Sequence, residues 1–229
     1  MRDDSQLLRE ARKSKGWTQA DLASRLGLSQ GYVSLLEGGR RDVPDGLRKQ
    51  LTRLMDLSPV NLPLPPEPAA LTGEDVAKAL ARLGYAGFAH LAGGRRMNPA
   101  ALVVGALLSL DLDARLAEAL PWVLRRHADL DWAWLVSQAK LHDLQNRLGF
   151  LVTLARRTAD ALGDVAAVGR LAAAERLLER SRLDRDDPLS MVRMTGAEVR
   201  WIQAHRPADA ARWRVLSRLD ADALLDARN

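Results

Sequence analysis

Cysteine is absent from the 229-residue sequence, which excludes disulfide bonds, zinc–cysteine sites, iron–sulfur clusters and thiol catalysis. Residues that favour strands are also scarce: isoleucine occurs once, threonine 6 times, and aromatic residues make up 4%. Leucine (42) and alanine (36) are abundant instead. Because strands favour β-branched and aromatic residues and helices favour alanine and leucine, the composition predicts an all-α protein.

Long apolar runs and a strong excess of one charge are lacking as well. The most apolar stretch, residues 99–112, is shorter than the roughly 20 residues of a membrane-spanning helix, and residues 1–5 have no apolar core of a signal peptide. We therefore expect a cytoplasmic protein without membrane contact. The net charge of +5 is spread evenly, since residues 1–57 carry 11 basic and 8 acidic side chains and residues 71–229 carry 23 and 20. Any nucleic-acid contact must come from individually placed residues rather than a polybasic tail.

A cluster of prolines divides the chain. Five prolines fall between residues 58 and 68, and proline neither continues a helix nor donates a backbone hydrogen bond. We predict a linker at residues 58–70, between a small N-terminal domain at residues 1–57 and a larger C-terminal helical bundle at residues 71–229.

Short helices are predicted throughout residues 1–57. Ser5, Thr18 and Ser29 stand where the N-cap residues of three helices are expected. Asp21 follows Thr18 by three residues, which is the spacing of a capping box. Gly27, between the second and third helices, can adopt the left-handed conformation that ends a helix.

Residues 18–39 carry the pattern of a helix-turn-helix. Small Ala23 lets two helices cross closely, and the side chains that fix the crossing are Leu22, Val33 and Leu36. In such a motif the second of the two helices enters the major groove and its N-terminal side chains reach the base edges, while the first abuts the phosphate backbone. The alternative is a helical hairpin used only for packing or protein contact.

The hydrophobic, turn and polar positions of residues 5–57 together resemble the XRE family, the helix-turn-helix type of Cro and the phage repressors. The resemblance implies a domain that binds double-stranded DNA as a homodimer, at an inverted repeat with half-sites about one helical turn apart. It also implies that Arg12 and Glu37 form an internal ion pair. Gly31 and Leu35 depart from the family's best base-reading residues, so we expect DNA shape and phosphate contacts to carry more of the affinity.

The same resemblance implies which residues contact DNA. Gln19 matches the phosphate contact of the family's second helix, and Gln30 is the candidate for paired hydrogen bonds to an adenine edge. Tyr32 is expected to contact sugar or phosphate, and Arg40 and Arg41 match a loop that contacts the backbone. The exposed positions of the recognition helix are Ser29, Gln30, Gly31, Ser34 and Leu35.

The sequence pattern of residues 71–229 also predicts helices. Asp131 is predicted to cap the longest of them, which ends near residue 162 and carries an apolar stripe at spacings of three and four; the stripe comprises Leu141, Leu144, Leu148, Leu151, Ala155, Thr158 and Leu162. A stripe of this kind forms either a bundle core or a dimer seam, and a bundle core is the expectation here. Pro121 predicts a kink or break near residues 119–120. Residues 184–188 are predicted to be an exposed loop, and residues 207–229 an amphipathic tail.

Catalytic and metal-binding patterns are absent from residues 71–229. The four histidines are scattered and lack metal-site spacing; they are His90, His127, His142 and His205. We interpret His142 with Asp143 as a polar patch rather than a catalytic pair. The sequence therefore predicts no enzyme, no metal and no cofactor. Arginine doublets at residues 95–96, 125–126 and 156–157 are expected on solvated faces, with an anionic partner as the alternative. Trp132 and Trp134 are expected in the core, with a pocket or interface as the alternative.

Two functions fit these features. The preferred hypothesis is a dimeric, sequence-specific transcriptional regulator, a repressor whose C-terminal domain dimerises and senses a ligand or partner. The alternative is an antitoxin-like module that neutralises a protein partner such as a toxin and regulates its own operon.

Overall fold

The computed structural model describes residues 4–55, 58–91, 97–109, 112–190 and 194–226. The chain forms two compact units, residues 1–63 and residues 64–229. Both are built from α-helices, and within the described residues the only strands are two of two residues each. The prediction of an all-α protein is confirmed.

Between residues 4 and 63, the described residues of the first unit form four α-helices and a 3-10 turn. These are α1 Asp4–Ser14, α2 Gln19–Leu26, α3 Gln30–Glu37, α4 Asp45–Leu54 and the 3-10 turn Pro59–Asn61. One apolar cluster holds the helices together, and its buried members are Leu8, Leu22, Ala23, Val33, Leu36, Val43, Leu51 and Met55. Each helix is too short to be stable alone, so this shared core is what maintains them.

Two of the three predicted N-caps are confirmed. The Thr18 hydroxyl accepts from the backbone of Asp21 at 3.1 Å, and the Asp21 carboxylate accepts from the backbone of Thr18 at 2.8 Å, which completes a capping box. The Ser29 hydroxyl accepts from the backbone of Tyr32 at 3.1 Å and caps α3. The cap predicted at Ser5 is wrong, because α1 already includes Asp4.

The second unit contains nine α-helices in the part of the chain that is described. These are α5 Gly73–Leu83, α6 Pro99–Leu107, α7 Ala114–Arg126, α8 Trp132–Leu141, α9 Gln145–Ala161, α10 Val165–Glu179, α11 Gly196–His205, α12 Ala208–Arg212 and α13 Ala221–Asp226. Helix α6 is buried along its whole length. Helix α9 is central and packs against α7, α8, α10, α12 and α13.

The predicted apolar stripe forms the bundle core. Leu144, Leu148 and Leu151 are buried, whereas Leu141 and Leu162 at its two ends are 71% and 50% exposed. The stripe therefore packs within the bundle along its middle, which is the expected one of the two alternatives.

The single long helix predicted from Asp131 is wrong. Asp131 does cap a helix by accepting from the backbone of Trp134 at 3.0 Å, but that helix, α8, ends at Leu141. Asp143 then takes a left-handed conformation, with φ of 56°, and α9 begins at Gln145. An L-residue at positive φ cannot continue a right-handed helix, so the chain turns here although the apolar spacing continues.

Pro121 does not break its helix. Helix α7 runs from Ala114 to Arg126 with Pro121 inside it and buried. Proline removes one backbone hydrogen bond, but the packing of apolar α7 side chains, including Leu120 and Leu124, maintains the helix.

The loop and tail predicted near the C-terminus contain a parallel strand pair. Strand β1, Asp187–Pro188, pairs with β2, Val215–Leu216. Residues 184–188 are thus only partly a loop, and residues 207–226 form two short helices with a strand between them. The backbone N–H of Asp187 donates to the carbonyl of Arg214 at 2.9 Å.

The chain before β2 is anchored on α9 by Trp213. Its indole N–H donates to the Thr153 hydroxyl at 2.7 Å, and its ring is fully buried. The ring lies so close to Gly149 that a Cβ atom there would be 2.2 Å from it. Thr153 in turn donates to Glu175 of α10 at 2.9 Å, so one buried network joins α9, α10 and the C-terminal segment.

Candidate nucleic-acid interface

Helices α2 and α3 cross as a helix-turn-helix. Gly27 ends α2 at φ of 66°, and its backbone N–H bonds back to the carbonyls of Ala23 and Ser24. Leu22, Val33 and Leu36 are fully or almost fully buried at the crossing. The apolar wedge and the left-handed glycine therefore stand where the sequence predicts them.

One face of α3 is polar and open to solvent. The sequence-predicted contact residues exposed on or just beyond this helix are Ser29, Gln30, Gly31, Ser34, Leu35, Arg40 and Arg41. Positions 30, 31, 34 and 35 share a face because residues three and four apart on a helix lie close together. Leu35 is 37% exposed and is the one large apolar side chain of this face.

A buried ion pair connects α1 with the end of α3. Arg12 donates from Nε and Nη2 to the two carboxylate oxygens of Glu37, at 2.6 and 2.9 Å, and from Nη1 to the carbonyl of Trp17 at 2.6 Å. Both residues are less than 9% exposed. The hydrogen bonds that Arg12 donates to the Glu37 carboxylate raise the pKa of Arg12. Burial alone would raise the pKa of Glu37, but the hydrogen bonds from Arg12 and Gln19 and the Arg12 charge together lower it. The predicted ion pair is confirmed.

Gln19 links this ion pair to Gln30. Its Nε2 donates to Glu37 Oε2 at 3.0 Å, and its Oε1 accepts from Gln30 Nε2 at 3.2 Å. The half-buried amide of Gln19 thus has a fixed direction, with its oxygen toward α3. Gln30 retains its Oε1 and one N–H for a further partner, which is the donor–acceptor pair that an adenine edge requires.

Tyr32 and the arginines after α3 form a second group. The Arg41 guanidinium lies 5.4 Å from the centre of the half-buried Tyr32 ring. Arg40 is exposed, and its backbone N–H donates to the carbonyl of Leu35 at 3.0 Å, which fixes the turn after the helix. The structure therefore brings together Gln19 with Gln30 and Tyr32 with Arg41, and leaves Ser34 and Arg40 as separate exposed groups.

Sequence reasoning missed the contact between Gln19 and Glu37. One N–H of the Gln19 amide bonds the buried carboxylate, and its second N–H remains for the predicted phosphate contact. A second contact that was not predicted lies nearby, where the Arg25 guanidinium stacks 4.4 Å from the Trp17 ring centre. Neither contact has a local sequence signal, because both depend on how α1, α2 and α3 are assembled.

The described part of the second unit contains several of the histidines and acidic residues that the sequence analysis singled out. No group of three or more histidine and acidic side chains there could hold a metal ion. Asp143 pairs with Arg185 at 3.5 Å, and the polar-patch interpretation of His142 and Asp143 stays a prediction. None of the described helices is long and apolar enough to cross a membrane.

The structure describes two of the three arginine doublets. Arg156 is half-buried and pairs with Glu175 at 2.6 Å, whereas Arg157 pairs with Asp209 at 2.7 Å and keeps its side chain 55% exposed. The predicted solvated face is therefore confirmed for Arg157 and wrong for Arg156. In the doublet at residues 125–126, Arg126 is exposed, as predicted, whereas Arg125 is half-buried. The doublet at residues 95–96 lies outside the described residues.

The two tryptophans of α8 are half-buried. Trp132 bonds through its indole N–H to the carbonyl of Ala128 at 2.9 Å, so its polar atom is satisfied within the fold. Trp134 follows the N-cap Asp131 on the first turn of the same helix.

The crossing helices, the open polar face and the buried ion pair define a helix-turn-helix domain, the class of fold that DNA-binding regulators use. Comparison with known proteins agrees: residues 5–64 match a family model described as a helix-turn-helix domain. No curated protein and no solved structure shows a significant match to the chain.

Proposed function

We propose that this protein is a sequence-specific transcriptional regulator, a dimeric repressor that binds an inverted repeat in double-stranded DNA and whose second unit senses a ligand or partner. The observation that carries the proposal is the chain of hydrogen bonds from Arg12 through Glu37 and Gln19 to Gln30. A base-reading amide that is already oriented loses less conformational entropy on binding, which favours recognition of one sequence.

Each DNA contact follows from the chemistry of the exposed group. Gln30 reads an adenine edge through its amide, and Leu35 makes apolar contact with a thymine methyl group. Ser29, Ser34 and the backbone of Gly31 approach sugar and phosphate closely. The remaining predicted residues contact phosphate and set the register of α3 in the groove; these are Gln19, Tyr32, Arg40 and Arg41.

Dimerisation is assigned to the second unit. A single helix-turn-helix reads only one half-site, so a second copy is needed to read an inverted repeat. Helix α10 supports the assignment, because it exposes Val165 (81%) and Leu177 (45%) with Gly169 and Ala173 between them. Residues at steps of four form a ridge along a helix, and such ridges pack into the grooves of a facing helix.

The experiment begins with capture of sheared host DNA by the full chain near physiological salt. Enrichment of fragments that share an inverted repeat, with half-sites about 10 base pairs apart, supports a dimeric regulator. Gln30→Ala is then expected to weaken binding to that site by roughly 1–3 kcal/mol while binding to random DNA changes little. Gln50→Ala is the matched control, because this exposed glutamine of α4 lies in a groove with Arg25 and Leu26 of α2 and with no residue of α3.

Two outcomes contradict the proposal. Equal losses on specific and random DNA for Gln30→Ala remove its base-reading role. Absence of any enrichment over Gln30→Ala favours the alternative, in which the domain binds a protein partner in the manner of an antitoxin.

A further inference from the structure

The second unit contains an open cavity of about 660 Å³ that the DNA-binding proposal does not use. It lies between the first half of α7, helix α11, and the segments that follow β1 and β2. Small-molecule sites in proteins are concave, mostly apolar and of comparable volume.

The parallel strand pair builds one wall of this cavity. Because β1 and β2 run in the same direction, the residues after each strand leave the pair at the same end. Leu189 and Ser190 follow β1, and residues 217–219 follow β2, and both segments line the cavity. Trp213, locked into α9, fixes the chain just before β2, so the wall is held by the buried core.

The lining changes from apolar at the base to charged at the rim. Ala117, Leu189 and Leu216 are buried and form the base. Trp201 and Ile202 of α11 form a side, and Trp201 is 48% exposed. An exposed tryptophan beside a buried apolar base offers surface that an apolar ligand can cover, at roughly 25 cal/mol for each Å² removed from water.

Arg218 is the cation at the rim. Its guanidinium lies 5.2 Å from the centre of the Trp201 ring, and in the described part of the chain no carboxylate forms an ion pair with it. The neighbouring arginines differ, because Arg206, Arg212 and Arg214 each pair with an aspartate or glutamate. Arg218 therefore retains its hydrogen-bond donors for an anion.

The two glutamates of the lining have different roles. Glu198 is occupied by the helix cap, since one of its oxygens accepts from the backbone and the hydroxyl of Thr195 at 2.7 and 2.8 Å. Glu118 of α7 is exposed and has no ion-pair partner among the described residues. A free carboxylate in the lining disfavours a ligand with two negative charges, because like charges repel.

We propose that this cavity binds an amphipathic monocarboxylate, with its apolar body over Ala117, Leu216 and Ile202 and its carboxylate on Arg218. The planar guanidinium binds a carboxylate through two parallel charge-assisted hydrogen bonds. A ligand with a neutral amide head group accepts weaker hydrogen bonds, and a ligand with an ammonium head group accepts none. The regulatory role of the site rests on the proposed function, since the ligand would be the signal sensed by the second unit. The binding of the ligand to the cavity does not depend on the proposed function.

The test uses the full chain without DNA, so that a failure of DNA binding and a failure of ligand binding are distinguishable. Isothermal titration compares octanoate, octanamide and octylamine, which share an apolar chain and differ in the charge of the head group. We expect octanoate to bind about tenfold more tightly than octanamide, the difference between a charge-assisted and a neutral hydrogen bond. Octylamine is expected to bind most weakly.

Variants locate the site. Arg218→Gln is expected to make octanoate bind no better than octanamide while octanamide is unaffected. Arg170→Gln, an exposed arginine of α10 outside the cavity lining, is the matched control and should change neither. Ala223→Trp, at an exposed alanine in the lining, is expected to block both ligands with the thermal unfolding temperature unchanged.

Three results overturn the proposal. Equal affinity for octanoate and octanamide would mean an apolar cleft without a carboxylate site. Preference for octylamine would assign the cavity to cations, through Glu118. Octanoate binding that survives Arg218→Gln or Ala223→Trp would place the ligand elsewhere.

Discussion

The packing of Trp213 against α9 predicts that one substitution has opposite effects at two glycines. Gly149 and Gly169 both lie inside helices, where alanine is favoured over glycine by about 1 kcal/mol. At Gly169 on α10 a Cβ atom meets nothing within 4 Å, whereas at Gly149 it lies 2.2 Å from the Trp213 ring. Gly169→Ala is therefore expected to stabilise the second unit by about 1 kcal/mol.

Gly149→Ala is expected to destabilise the unit by about 3 kcal/mol. The Trp213 ring must move, and overpacking of a core costs about 2 kcal/mol. Movement also breaks the hydrogen bond to Thr153 and leaves a buried donor unpaired, at about 2 kcal/mol. The helix preference for alanine offsets about 1 kcal/mol of this total.

Urea unfolding followed by tryptophan fluorescence measures both variants, because five of the six tryptophans lie in residues 64–229. If Gly149→Ala were as stable as Gly169→Ala, Trp213 would not be locked against α9, and the anchoring of β2 and the cavity wall would lose its basis.

Three further predictions concern pH, the buried ion pair and the division of the chain. Burial and, to a smaller extent, the charge of Arg126 lower the pKa of His127 to about 4. Below pH 6.5 the unfolded chain binds a proton that the folded chain does not, so the free energy of unfolding is full above pH 6.5 and falls by about 2 kcal/mol between pH 6.5 and 5. Urea unfolding of His127→Gln should show no such dependence on pH. Glu37→Gln leaves Arg12 buried without a charge partner and is expected to destabilise the first unit by about 3 kcal/mol. Hydrogen exchange should then show faster exchange of the amides in α1 and α3, and unchanged exchange would contradict the structural role of the ion pair. A fragment of residues 1–62 should be helical by circular dichroism and monomeric by sedimentation, and should bind a full operator much more weakly than the whole chain; dimers in that fragment would remove dimerisation from the second unit.

Local signals explain how much of the fold was predicted. Thr18, Ser29 and Gly27 end or begin helices through hydrogen bonds to residues at most four positions away. Their roles could therefore be predicted from the local sequence. The break at Asp143 was missed for the opposite reason: Leu141 and Leu144 keep the helical spacing across it, and no glycine or proline marks the turn.

Tertiary contacts explain what the sequence could not predict. Strands β1 and β2 have two residues each, and nothing in such short segments indicates pairing. The Gln19–Glu37 contact joins residues 18 positions apart, and the cavity draws its lining from four separate segments. Arg12 and Glu37 were predicted only because the family resemblance supplied their pairing.

The anchoring of Trp213 has a consequence for how the protein folds during synthesis. The slot on α9 at Gly149 and Thr153 is filled by a residue 60 positions further along the chain, so a long loop must close before the contact forms. Until residue 213 has left the ribosome, the nascent second unit leaves this slot on α9 uncovered. We expect this stretch to be the part of the chain that chaperones protect, and its closure to be the slow step of folding.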